Sequence, residues 1–537
     1  MEHMGLWGII PPLLTITLAF VTKDVVISLF LGIFSGALIV AGGNPAIALM
    51  NLSDILAGSL SDGWNIRIFM FCALLGALVG MLSRTGAAGA FGRWASAKLK
   101  TSGSTQLMTC VFGIIIFIDD YFNSLAVGTV MRPISDKNRV SRAKLAYILD
   151  STAAPVCIIA PISSWVVTVM SIVRDAEGFG TLGMTEFEFF IRSIPYNLYA
   201  ILALALVVVI IFTKRDFGPM KQSETLASAG VLYNEERYGP ASGNIEEDIN
   251  PKAKPVDMLF PIIVLIITAV VFFPVTTWIN AVDGEGITSM GQAMAAIGIG
   301  DAFKDTDASM ALFYSVIFTL TATYIYYIVR GLLNLKTAEE SILNGIKSMV
   351  PALIILAMAW TIGTIIKAPP AEGGLGLGKY LSELVVGGGF PLFFVPAIVF
   401  VLSSVIAFAT GTSWGTFGIM IPIVMPIAVG LAQGNGFVQS EMVNAVMLCI
   451  AAVLGGAVFG DHASPISDTT ILSSTGAGCP HLEHVVTQIP YALFVALCSL
   501  VGFLVGGIFL NDIAAWIAAA VCMAAGMIVL PKVLRAE

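Results

Sequence analysis

Apolar runs of about 20 residues, the length a helix needs to cross a hydrocarbon core, recur from one end of this chain to the other. They fall near 6–21, 24–41, 66–83, 143–173, 187–212, 257–279, 308–330, 349–366, 439–475, 488–511 and 513–531. Only 12% of the residues are charged, against roughly 25% in a water-soluble domain. The fold class this dictates is an all-α polytopic membrane protein of about 11 spans whose first partner is the lipid bilayer. No nucleic-acid partner is expected. The opening "MEHMGLWGIIPP" lacks a basic stretch before its apolar run, so the first helix is expected to stay uncleaved.

Lys and Arg orient the spans. Clusters at Arg84, Arg93, Lys98 and Lys100, at Arg132 to Lys144, and at Lys214 to Lys254 all belong in the cytoplasm by the positive-inside rule. Propagating that choice puts the N-terminus outside and the C-terminus, with Lys532 and Arg535, in the cytoplasm.

Between two of these clusters, "GIIIFIDDYFNSLAVG" sets two adjacent aspartates in an apolar stretch. Its legs are too short for two crossings, so a hairpin (about 104–134) is expected to dip into the membrane with Asp119, Asp120, Asn123 and Ser124 near its tip. A second hairpin, about 391–430, carries Thr410, Thr412, Ser413 and Thr416 around "TGTSWGT". Its longer legs leave two full spans open as an alternative.

The hairpins align as copies: "DYFNSLAVGTVMRPI" lies over "SWGTFGIMIPIVMPI" with one offset, Tyr121 against Trp414. Each is followed by an overlong segment interrupted by proline, "LDSTAAPV" within 143–173 and "GDHASPISDTT" within 439–475. Proline removes a backbone donor and disfavours helix before it. Such breaks survive at membrane depth only where protein or a water-filled cavity satisfies the freed groups.

The chain thus divides into an N-terminal helix (1–23), a first repeat (24–212), a cytoplasmic connector (213–256), a linking helix and outer loop (257–307), a second repeat (308–511) and a C-terminal helix (512–537). By span count the repeats are inverted. Inverted repeats with discontinuous helices at matching positions point to a secondary transporter's binding site.

A charge at the bilayer centre costs about 2.5–3.5 kcal/mol, so Asp119, Asp120, Asp150, Asp461 and Asp468 together would cost about 12–17 kcal/mol if charged and unpaired. They must be protonated, paired, or facing a cation or water. A hard cation takes several oxygens. The tips and breaks supply them, through Asp150, Ser151 and Thr152 in the first break and Asp461, Ser464, Ser467, Asp468 and Thr469 in the second. Na+ is expected at Asp120, Asn123, Asp150, Thr412, Asp461 and Asp468. His462, beside Asp461, can relay protons near neutral pH or simply be hydrogen-bonded in the break. No cofactor is expected beyond Na+ as the transported or coupling ion. The seven cysteines show no metal or disulfide spacing, and "CPHLEH" reads as a polar cytoplasmic linker.

The motifs "FGDHASPISDTTILSS", "GCPHLEHVVTQIPYA", "TGTSWGTFGIMIPI" and "DDYFNSLAVGTVMRP" resemble the NhaC-type sodium/proton antiporters of the ion transporter superfamily. The resemblance implies cation binding at the tips and breaks, a prokaryotic plasma (inner) membrane, a homodimer and elevator-type movement. It leaves two activities open: Na+/H+ exchange, or Na+- or proton-coupled transport of a small carboxylate or amino acid. An intramembrane aspartyl protease would use two of the aspartates but leaves the paired hairpins unexplained, so no enzyme is expected. A channel would line one continuous helix face, which these clustered polar residues do not.

Overall fold

The computed structural model describes every residue except 1–2, 23, 97–98, 242–249, 283–286, 378, 381–382, 384–390 and 534–537. Lys98, Arg535 and part of the expected connector therefore lie outside the described residues. Among the described residues the chain is helical throughout, without strands. Among the described residues nine helices are long and apolar enough to cross a membrane, and up to 11 if two bent pairs each count as one span.

Labelled in chain order, the helices used below begin with α1 (Ile10–Thr22), α2 (Val25–Val40), α3 (Pro45–Ser61) and α4 (Gly63–Arg84). The first hairpin and break comprise α5 (Ser102–Ile115), α6 (Asp120–Lys137), α7 (Arg142–Thr152) and α8 (Ser164–Asp175). Next come α9 (Leu198–Thr213), α10 (Gly218–Ser228), α11 (Pro255–Val282), α12 (Ala308–Val329) and α13 (Leu335–Lys367). The second hairpin and break are α14 (Val395–Thr410), α15 (Ser413–Gly434), α16 (Gln439–Ala463) and α17 (Asp468–Ala477), followed by α18 (His481–Phe509) and α19 (Asp512–Val533).

Among the helices without a counterpart in the apolar runs is α3. The segment 45–61 forms α3, bent 117° from α2. Its Asn, Asp and Ser residues dilute the apolar signal. The turn into it is made by Gly42 and Gly43, both at positive φ, and Asn44 caps its first amides.

Two helix groups are distinguishable, with α15 in contact with both. In one, α4 and α13 cross so closely that a Cβ on Gly345 would lie 2.0 Å from the Gly76 carbonyl oxygen; α2, α3, α11 and α12 gather around this pair. In the other, α6, α7 and α17 pack together with α16 and α18, and Ser473 donates to Ser124 across α17 and α6 at 3.2 Å. Since backbones in contact leave no room for a side chain to relax, Gly345→Val is expected to prevent accumulation of folded protein. Size-exclusion profiles of detergent-extracted membranes, compared with an exposed Gly300→Val control, check this.

The described part of the connector is docked onto the helices. Lys144, 1% exposed, pairs with Asp216, and the Ser141 amide donates to Glu224 at 2.8 Å. Burial pushes the Glu224 carboxyl up, and Lys144 pulls it back. Nor is "CPHLEH" a solvated linker. Glu483 is fully buried and accepts from the Ser223 hydroxyl at 2.8 Å and the Asn234 amide at 3.0 Å. His481 bridges Ser474 and the Pro465 carbonyl. Polarity here reflects a buried ladder of hydrogen bonds, which local composition does not distinguish from a wet loop.

Candidate functional site

Both aligned segments start a helix. Asp120 opens α6 and Ser413 opens α15, each as the second leg of a hairpin. The first turn is made by 116–119, and the second by Gly411 and Thr412. Gly411 sits at φ +70°, where a Cβ would meet the Ile466 carbonyl oxygen at 2.7 Å, so only glycine serves. The legs of the second hairpin, 16 and 22 residues long, are α14 and α15.

The expected breaks are present. α7 ends at Thr152, with Ala153 at φ −84°, ψ −94°, a four-residue turn of helix Ala154–Cys157, and then α8. α16 ends at Ala463 and α17 begins at Asp468, with Ser464–Ser467 between them.

Each tip is laced to its own break. Asn123 Nδ2 donates to the carbonyls of Gly113, Ile116 and Thr152 at 2.7, 3.0 and 2.9 Å. Ser413 donates to Asp461 Oδ2 at 2.9 Å, and Ser467 donates to Asp461 Oδ1. Thr469 Oγ1 lies 2.8 Å from Ser467 Oγ. Asp461 is 3% exposed, and every side-chain partner it has is a hydroxyl. Hydroxyls can turn their lone pairs toward an incoming cation, which ammonium or guanidinium donors cannot.

The two breaks are also joined to one another. Asp150 Oδ2 accepts from Thr470 at 3.1 Å, from Gln488 at 2.6 Å, and lies 3.3 Å from His484 Nε2. Gln488 also donates to the His462 carbonyl, and Thr470 reaches the Asp461 carbonyl at 3.4 Å. The His462 ring is held by Ser151 at 3.2 Å and Tyr199 at 2.8 Å. Buried oxygens left without hydrogen-bond partners include Asp120 Oδ2, Asn123 Oδ1 and Asp150 Oδ1. Such acceptor-only atoms suit a hard cation. Among the described residues, no group of three or more His, Cys, Asp and Glu side chains is placed to hold a metal ion.

Several candidates stand apart from this core. Asp468, expected among the buried acids, has an exposed side chain that accepts from Tyr121 Oη at 3.2 Å. The reason is helical phase: Ser467 is the cap and turns inward, so the next residue, 100° further round, faces outward. Thr152, Thr410 and Thr416 spend their hydroxyl hydrogens on nearby carbonyls of their own segments. Ser464 donates to the Phe408 carbonyl at 2.8 Å, Ser124 accepts from Ser473, and Thr412 is half-buried. Asp119, buried on the other side of the tip from Asn123's carbonyl cage, lines a cleft against α4 and α13.

His484, Gln488, Thr470, Tyr199 and Tyr121 were missed by the sequence reading. The first two lie four apart on one helix face, but His481, Glu483 and Thr487 beside them give this helix start the look of a solvated end.

The Na+/H+ antiporter family model matches residues 156–508. A Haemophilus influenzae protein of uncharacterised function is 36% identical over 97% of this chain and 94% of its own length. The malate-2H(+)/Na(+)-lactate antiporter of Bacillus subtilis is 32% identical over 42% of this chain and 44% of its own. Among solved structures, MtrF of Neisseria gonorrhoeae, from a class of antimetabolite efflux pumps, has a TM-score of 0.50 at 14% identity, covering 89% of this chain and 85% of MtrF. That likeness speaks to the fold alone. These are transporters, not enzymes, and with the match spanning most of the residues the chain belongs to the Na+/H+ antiporter family of membrane secondary transporters.

Proposed function

We propose that this chain exchanges Na+ for H+ by alternating access, with Asp461 as the carboxylate that takes one ion or the other. The observation carrying this reading is the environment of Asp461: buried, hydroxyl-lined, and, among the described residues, without a bonded Lys, Arg or His. A charge in that position costs several kcal/mol unless a proton or a cation neutralises it. The two neutralised states are the two loaded states of an antiporter. In this reading Asp120, Asn123 and Asp150 offer further oxygens to Na+, and the two repeats are inverted. The transport helices α6, α7, α16 and α17 would move as a body against α4 and α13. We place the N-terminus outside a prokaryotic plasma membrane and the C-terminus in the cytoplasm, in a homodimer.

The test is dequenching of a pH-sensitive dye in proteoliposomes on addition of Na+. A response to Na+ alone supports the exchange. The malate/lactate relative suggests a second reading, coupled transport of an organic acid. No response to Na+, Li+ or K+, with sodium-dependent uptake of malate instead, would favour it.

A further inference from the structure

The start of α4 and the end of α13 are both fastened to the last turn of α8, which closes with Arg174 and Asp175. Arg174 lies 3.5 Å from Asp62, the residue that caps α4, and its guanidinium sits 4.7 Å from the centre of the Trp64 ring. Asp175 accepts from Asn65 Nδ2 at 3.4 Å through its carboxylate and from Lys367 Nζ at 2.9 Å through its carbonyl. One turn deeper, Trp360 Nε1 donates to Ser171 Oγ at 2.5 Å. Partly exposed ion pairs contribute little individually, so this fastening is a sum of small terms that can be broken. The backbone contact between Gly76 and Gly345 inside the α4–α13 crossing has no such freedom.

The other end of α8 is tied to the hairpins. The Ser163 hydroxyl donates to the Cys157 carbonyl in the first break at 2.7 Å. The Ser164 amide donates to the Ile118 carbonyl in the turn of the first hairpin at 3.4 Å. The Trp165 ring packs edge-on against Trp414 and Phe417 of the second hairpin, with ring centres 6.0 and 5.7 Å apart. Helix α8 is thus a rod of 12 residues, about 18 Å long, with the hairpin turns at one end and the fastening at the other. Any shift of those turns against α4 and α13 pulls on the contacts of Arg174 and Asp175.

We propose that the end of α8 is a releasable latch: Arg174 and Asp175 hold it against α4 and α13, and these contacts break each time the ion site changes sides. In the orientation proposed above the latch lies on the outer face, so it holds that face closed in this structure. The proposal rests on the alternating-access reading for its effect on transport, but not for the closure itself.

Two measurements on the full-length protein test it. Gly363 is buried, has no described atom within 4 Å of where a Cβ would lie, and lines a small cavity together with Asp175 and Lys367. Gly363→Cys therefore places a reporter thiol behind the latch. Its labelling by a membrane-impermeant methanethiosulfonate, above the background of the seven native cysteines, is expected to speed up about tenfold when Arg174→Gln or Lys367→Met is added. Labelling unchanged by both would overturn the latch. The second measurement locks it: Asn65→Cys with Asp175→Cys, joined by a short bis-methanethiosulfonate, is expected to lose Na+-driven exchange at least tenfold and regain it on reduction. The control pair Arg67→Cys with Asp307→Cys, an ion pair at 3.3 Å within the α4 group, is expected to keep exchanging when joined. Full exchange in the locked protein would make α8 a fixed brace and defeat the latch alone. A wild-type protein without any Na+ response defeats the antiport alone, and the labelling rates then decide the latch.

Discussion

Asp461→Asn is expected to reduce Na+-driven proton release from proteoliposomes by about 100-fold or more while leaving the protein folded. Two unit charges 4 Å apart attract by ~4 kcal/mol at an effective dielectric near 20. That exceeds the ~2.8 kcal/mol of a 100-fold change in binding. The amide can still accept from Ser413 through its oxygen, so local geometry has no reason to collapse. Removing an ionisable group at 3% exposure also relieves the cost of placing it there. A melting temperature at or above wild type, with exchange lost, is the expected pair of results. Wild-type exchange in this variant would remove Asp461 from the ion pathway. Asp468→Asn gives a contrast: its exposed carboxylate touches Tyr121 and not the Asp461 cluster. Its effect is expected to fall on the apparent Na+ affinity more than on the maximal rate.

The sequence carried the features with a strong energetic signature. Membrane-length apolar runs, acids set within them, and prolines in overlong helices each violate a rule of the bilayer interior, so each stands out from one chain. The hairpin copies were legible because Tyr121 and Trp414 share an offset that places both at the second position of a helix. Orientation of side chains around those helices was not legible. Asp468 and Ser467 are neighbours in the chain and differ in facing, because a cap is decided by which hydroxyl finds the Thr470 amide. His484 and Gln488 were hidden for another reason. Their partner, Asp150, lies more than 300 positions earlier, and a polar residue near a helix start looks the same whether it meets water or a buried carboxylate.

The same partnership carries the second large effect. Asp150 is 1% exposed, and Gln488 is equally buried. Its amide donates both to Asp150 and to the His462 carbonyl, so it clamps the first repeat's break to the second's. Gln488→Leu removes a hydrogen bond to a buried acid, a loss of about 1.5–3 kcal/mol, and loosens the joint between the two breaks, which Thr470 and Ser151 still bridge. Exchange is expected to fall about tenfold or more together with a clear drop in melting temperature, the tenfold corresponding to ~1.4 kcal/mol. If the damage comes from the stranded charge, Asp150→Asn in the same chain restores thermal stability, because the amide costs less to bury unpaired than the carboxylate. Transport should not return with it, since the oxygen offered to the cation is then neutral. The double-mutant cycle measures this coupling directly. Additive losses of stability in the pair would mean that Gln488 acts through packing alone, and that the two breaks respond to ions independently.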